Sequence, residues 1–222
     1  HTRYISVTGV QTCALPILCA FEVIGNLKDP YMLTWSHKAR METFLDSDYT
    51  HFIYLEDDMQ LTQENMEYWL ETKDYFRSRN TDFIPAFVRV EYKDDGEAIA
   101  IDMKGPPTGI GVDFGDRQFV SLDQFYQGMF IMDRDMVEKH VKSPSFKFET
   151  SRPIPGTFND VRERANQGNM YVDVHEGFHH SLLVPHIEGK SYWILHNAGN
   201  YIPMENTLHG KFPISRLFEN FK

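Results

Sequence analysis

From Leu18 onward, short apolar runs rich in β-prone residues alternate with stretches of helical periodicity, and this alternation constrains the fold more than any other feature. It predicts an α/β domain with a mostly parallel sheet flanked by helices, because each helix returns the chain to lay the next strand beside the last. CAFEVIGN reads as a strand over 20–24, ending at Gly25-Asn26, and 30–45 reads as a helix. HFIYLEDD, from His51, reads as a buried strand that runs into three acids. Thr62, with Asn65 three places on, opens an amphipathic helix over 63–79. The next strand is 83–92, bounded by the turn Asp94-Asp95-Gly96, and 96–119 reads as a loop or hairpin region. A strand over 127–132, a helix over 134–141 stopped before Ser143-Pro144, and a helix over 159–166 with Gly168 as its stop complete the pattern.

At 222 residues the chain suits one domain, here placed at 18–222. With 41% hydrophobic and 14% aromatic residues it can bury a core, which excludes a disordered chain. Its 32 Asp and Glu against 22 Lys and Arg argue against binding nucleic acid or an anionic lipid surface. No apolar run approaches the roughly 20 residues of a transmembrane segment. Phosphate loops of the Walker or dinucleotide kind are missing, as is Gly-x-Ser-x-Gly, so P-loop phosphoryl transfer and serine-based acyl transfer do not fit. Residues 3–17, RYISVTGVQTCALPI, resemble translated sequencing-adapter DNA and are set apart with 1–17 as a non-native segment. On that reading Cys19 is the one remaining cysteine, no disulfide framework exists, and the domain is a fragment lacking its first strand.

The chemistry centres on Glu56-Asp57-Asp58. In open α/β sheets ligands bind beyond the carboxyl ends of strands, which is where the triplet is expected. Adjacent carboxylates repel unless something positive lies between them. A hard divalent cation such as Mg²⁺ or Mn²⁺ answers that need, because it takes oxygen ligands, keeps several waters and bridges to phosphate. The plainer alternative is a solvated acidic turn at the positive end of the following helix.

The run FIYLEDDMQLTQENMEYWLE resembles glycosyltransferases of the nucleotide-sugar-binding GT-A fold. Its triplet is similar to that of N-acetylglucosaminyltransferase I-like enzymes, and YTHFIYLEDDM resembles bacterial GT-A proteins. The resemblance implies a GT-A-like domain that moves a hexose or N-acetylhexosamine from a nucleotide-diphosphate donor to a hydroxyl of a saccharide or other acceptor. It implies Mn²⁺ or Mg²⁺ on Asp58, with Glu56 and Asp57 toward the ribose and the metal's water, and the metal neutralising the departing diphosphate. Weaker likenesses run from Asn26 to Tyr201. In YQGMFIMDRDMVEKH, Gly128 would let donor and acceptor approach; a strand glycine at a bend is the ordinary alternative. In FNDVRERANQG the base of an inverting reaction is expected, but Asn159-Asp160 replaces the usual pair of acids. That leaves the role open between Asp160 and Glu163, with helix capping as the bland reading of both. In WILHNAGNY, His196 would complete the metal shell, with a satisfied half-buried histidine as the ordinary alternative, and Asn197, Asn200 and Tyr201 would line the acceptor side. Lys38 would approach the donor phosphates, or else lie with Arg40 on a solvated face.

Two other classes compete. One is a carbohydrate- or protein-binding module of the same fold without catalysis. The other is a zinc hydrolase built on His175-Glu176-x-x-His179. That motif lies among β-like segments, where residues four apart are about 13 Å from each other and cannot share one ion.

Overall fold

A computed structural model describes residues 24–108, 111–122, 126–151, 161–166, 182–187, 189–205 and 207–221. In chain order, a 3-10 turn, Pro30–Trp35, leads to α1 (His37–Leu45), β1 (His51–Leu55), β2 (Met59–Gln60), α2 (Gln63–Ser78), β3 (Ile84–Pro85) and β4 (Val88–Tyr92). These are followed by β5 (Ala98–Ala100), β6 (Gly111–Asp113), β7 (Gln118–Ser121), β8 (Met129–Asp133), α3 (Arg134–Val141), α4 (Val161–Asn166), β9 (Leu182–Pro185), β10 (Trp193–His196) and β11 (Phe212–Pro213). The class is mixed α/β, as the alternation implied. Among the described residues, those up to Asp57 and from Gly128 to Asn166 form one compact unit, and the rest form a second.

In the first unit β1 and β8 pair antiparallel, His51 opposite Asp133 and Leu55 opposite Met129. Phe52 stacks on Phe130 at 6.2 Å and meets Phe44 of α1 edge-on at 5.8 Å. Met41, Met132 and Val137 are fully buried in the same unit. Asp133 ends β8 and caps α3 by accepting the Met136 amide at 2.9 Å, so one residue closes the strand and opens the helix. Arg134 donates to the carbonyls of Leu45, Ser47 and Tyr49, tying the end of α1 to the start of α3. The helix expected over 30–45 is divided at Ser36. Thr34 and Ser36 hydroxyls bond back to the Tyr31 and Leu33 carbonyls at 2.7 Å, which competes with the α-helical ladder and leaves the first turns 3-10. The strand expected over 20–24 lies outside the described residues except for Ile24, which is not in a strand.

The second unit holds two sheets, ordered β11-β5-β4-β10-β2 and β3-β9-β7-β6. Only β10 on β4 and β3 on β9 are parallel among the described pairings. The expectation of a mostly parallel sheet is therefore corrected to mixed and largely antiparallel. The cause is local: Gly96 at φ +86° and the amide of Gly96 on the Lys93 carbonyl make a tight turn that folds β5 back on β4. Likewise the single strand expected over 83–92 breaks at Ala86-Phe87, and its two parts join different sheets. Pro85 cannot donate to a ladder, and the Phe87 amide goes to the Gln127 side chain at 2.7 Å.

Helix α2 follows the expected amphipathic pattern. Thr62 and Asn65 form a reciprocal cap, and the Asn65 side-chain amide also donates to the Ser191 and Trp193 carbonyls at 2.8 and 2.9 Å. The start of α2 is thereby fastened to the start of β10. At its other end Phe76 packs 4.8 Å from Phe119 of β7, with Tyr75, Phe83 and Phe114 around them. Among the described residues no helix is long and apolar enough to cross a membrane.

Candidate functional site

Strand β4 carries the side chains that build the site. Arg89 and Glu91 alternate with Val88 and Val90, so the two charged residues share a face of the sheet, and all four are buried. β10 runs parallel to β4 with Leu195 opposite Val90, which brings His196 level with Glu91. On the other side β2 pairs antiparallel with β10, Met59 opposite His196, and the Asp58 carbonyl accepts the Asn197 amide at 2.7 Å. Three neighbouring strands thus converge on one imidazole.

His196 Nδ1 donates to Glu91 Oε1 at 2.7 Å, and its Nε2 lies 3.2 Å from Asp58 Oδ2. The second Glu91 oxygen receives the backbone amides of Tyr201 and Ile202 at 3.2 and 3.0 Å. Asp58 Oδ1 is closed off from solvent and has no hydrogen-bond partner. The Tyr201 ring meets His196 edge-on at 5.3 Å. Behind that turn, Gly210 adopts φ +68°, and a Cβ there would lie 2.4 Å from the Tyr201 carbonyl oxygen. Burial lowers the His196 pKa, but hydrogen bonds to Asp58 and Glu91 outweigh it, and the imidazole is held above its ordinary range. The hydrogen bond to His196 lowers the Asp58 carboxyl below the usual carboxylate range.

Arg89 is buried beside this group. Its guanidinium grips Asp102 through Nε and Nη2 at 2.7 and 2.6 Å, between the rings of Tyr126 and Tyr201 at 4.6 and 5.4 Å.

Among the described residues no three His, Cys, Asp or Glu side chains form a ready-made metal cage. Asp58 and His196 are paired through Oδ2 and Nε2, which leaves Asp58 Oδ1 buried without a hydrogen-bond partner. The other candidates are placed elsewhere. Glu56 follows β1, with its amide on the Gly128 carbonyl at 3.0 Å, and Gly128 itself has φ +65°. Asp57 is exposed, and the boundary between the two units falls between Asp57 and Asp58. Lys38 is buried, which corrects the expectation that it lies on a solvated face. Its Nζ lies 2.7 Å from His140 Nε2, with the Trp35 and Phe146 rings 5.6 and 5.7 Å away, and burial brings its pKa down to about 7. Glu163 in α4 is 7% exposed and paired with Arg162 at 3.1 Å, so it is not a solvated acid. Asp160, His175, Glu176 and His179 lie outside the described residues. Asn197 and Asn200 are exposed.

Sequence reasoning missed Glu91, Arg89 and Asp102. The available signal was VRVEY, in which two charges occupy alternate positions of an otherwise apolar strand and so must be paired on one face.

No known family matches the chain, and no solved structure matches it. The chain is similar to Regulator of G-protein signaling 21 of Homo sapiens, 27% identical over 156 residues that cover 64% of this chain and 94% of that protein. That likeness assigns no family.

Proposed function

We propose that the chain is a metal-dependent glycosyltransferase of GT-A-like fold, moving a hexose or N-acetylhexosamine from a nucleotide-diphosphate donor to a hydroxyl of a saccharide or other acceptor. One observation carries the reading: Asp58 and His196, taken from separate motifs as metal ligands, stand 3.2 Å apart. Mn²⁺ or Mg²⁺ held there would offset the charge that develops on the departing diphosphate. Glu56 and Asp57 belong to the donor side by the same resemblance. Lys38 stands beside His140, with its nitrogen 2.7 Å from His140 Nε2. An inverting reaction needs a carboxylate that takes the acceptor hydroxyl proton. That role goes to Asp160, with Glu163, which accepts from Arg162, second.

The test is a screen of nucleotide sugars with and without Mn²⁺, following release of the nucleoside diphosphate. Metal-dependent release that disappears in Asp58→Asn and His196→Gln is expected. Binding of a nucleotide sugar without turnover would instead assign a non-catalytic module, and no binding at all would remove the reading.

A further inference from the structure

We infer that the groove between α2 and the β7–β9 pair binds a linear polyamine, with its ammonium groups along one face of α2 and its methylenes on apolar side chains. The groove holds about 710 Å³, within the range of small-molecule sites. On α2, Glu64, Glu67 and Glu71 line it at i, i+3 and i+7, which puts them on a single helix face. Phe119 and Pro185, paired across β7 and β9, and Tyr68 add buried apolar surface to the lining. The three carboxylates are exposed and repel one another along the helix. Among the described residues Glu64 and Glu71 have no partner, and Glu67 accepts from the neutral Gln63 side chain at 2.6 Å.

Three acids on a helix are by themselves an ordinary solvated face, and Thr72 makes the difference. It is 5% exposed, lines the groove next to Glu71, and its hydroxyl makes no hydrogen bond among the described residues. A helical threonine commonly bonds back to the carbonyl four residues earlier, as Thr43 does to Ala39 at 3.2 Å. A nearly buried hydroxyl without that bond is an acceptor left for a ligand N–H. The groove is also fixed at both ends. Asn65 ties the start of α2 to the Ser191 carbonyl at 2.8 Å, and at the far end Tyr75 and Arg79 both bond Asp116, at 2.6 and 2.9 Å. There Arg117 lies over the Tyr75 ring at 4.5 Å and ends the acidic run with a positive charge. Spacing selects the ligand. The glutamates are about 4.5 and 6 Å apart along the helix axis, and nitrogens joined by three or four methylenes are about 5 and 6 Å apart.

Spermidine, a linear triamine, is the probe, titrated calorimetrically into the full chain at physiological ionic strength. One variant combines Glu64→Gln, Glu67→Gln and Glu71→Gln, and a second is Thr72→Val, which keeps the shape and removes the hydroxyl. Each is first checked for a cooperative melt. Saturable one-to-one binding is expected in the parent, about tenfold weaker in the triple variant and about tenfold weaker in Thr72→Val. A parent that binds spermidine no better than the triple variant would overturn the inference. So would unchanged affinity in Thr72→Val, the result that diffuse attraction of a polycation to a chain of net charge −10 gives. A tetralysine peptide that binds more tightly than spermidine, and loses affinity in the same variants, would overturn it by assigning the groove to a basic protein segment. The triple variant changes exposed positions only, and decides alone if Thr72→Val does not fold. None of these residues belongs to the Asp58–His196 site, so the outcome is independent of the transferase reading.

Discussion

The side-chain nitrogen of Lys38 lies 2.7 Å from Nε2 of His140, and both groups are shut away from water with no carboxylate between them. Burial lowers the Lys38 pKa to about 7, and burial together with Lys38 lowers that of His140 well below 6.5. The folded-state values lie below the unfolded ones. Between pH 7 and about 10 the unfolded chain therefore binds one more proton at Lys38, and stability rises with pH by about 1.4 kcal/mol per unit. Below pH 6.5 the histidine adds a further loss. Lys38→Met should flatten the upper part of this profile in urea denaturation from pH 6 to 10 and stabilise the protein near neutrality. Parallel profiles for the two proteins would contradict the assignment.

Arg89 and Asp102 form a buried pair, with side chains 3% and 11% exposed. Removing only the acid strands a guanidinium that burial cannot neutralise, so Asp102→Ala should destabilise by about 3–5 kcal/mol. Replacing both residues with apolar side chains should recover most of that loss, since the unpaired charge goes too. The comparison is of urea midpoints for the single and double variants.

Asn65 uses both ends of its amide, with Oδ1 on the Thr62 backbone amide and Nδ2 on two carbonyls that flank the start of β10. Asn65→Asp keeps the shape but turns both donated bonds into contacts between acceptors. A loss of about 2–3 kcal/mol is expected by thermal or urea unfolding.

Asp58 is 39% exposed, so its removal should hardly disturb folding. Asp58→Ala is expected to unfold within about 1 kcal/mol of the parent when metal-free. Mn²⁺, which should raise the melting temperature of the parent by binding the native state, should leave the variant unmoved. A variant still stabilised by Mn²⁺ would place the ion elsewhere.

Local sequence signals decide the structure where an element carries its own caps. Helix α2, with Thr62 and Asn65 at its start, and α3, stopped before Ser143-Pro144, carry their caps in adjacent residues. Strand direction was not decided locally. The Asp94-Asp95-Gly96 turn is plain in the sequence, yet the antiparallel β4–β5 pair it makes is decided by the sheet it joins. The same division holds in the site. Asp58 and His196 stand in recognisable motifs, whereas Glu91 matters because parallel register sets it beside a histidine 105 positions later in the chain.

A side chain on Gly210 would run into the Tyr201–Ile202 peptide, whose Ile202 amide donates to Glu91. Main chain against main chain leaves no rotamer to relax and no methyl group to trim. The histidine's bearing is thus braced from the rear by a rigid backstop, and a one-carbon change on this remote turn would be felt at the imidazole through a carboxylate it never meets.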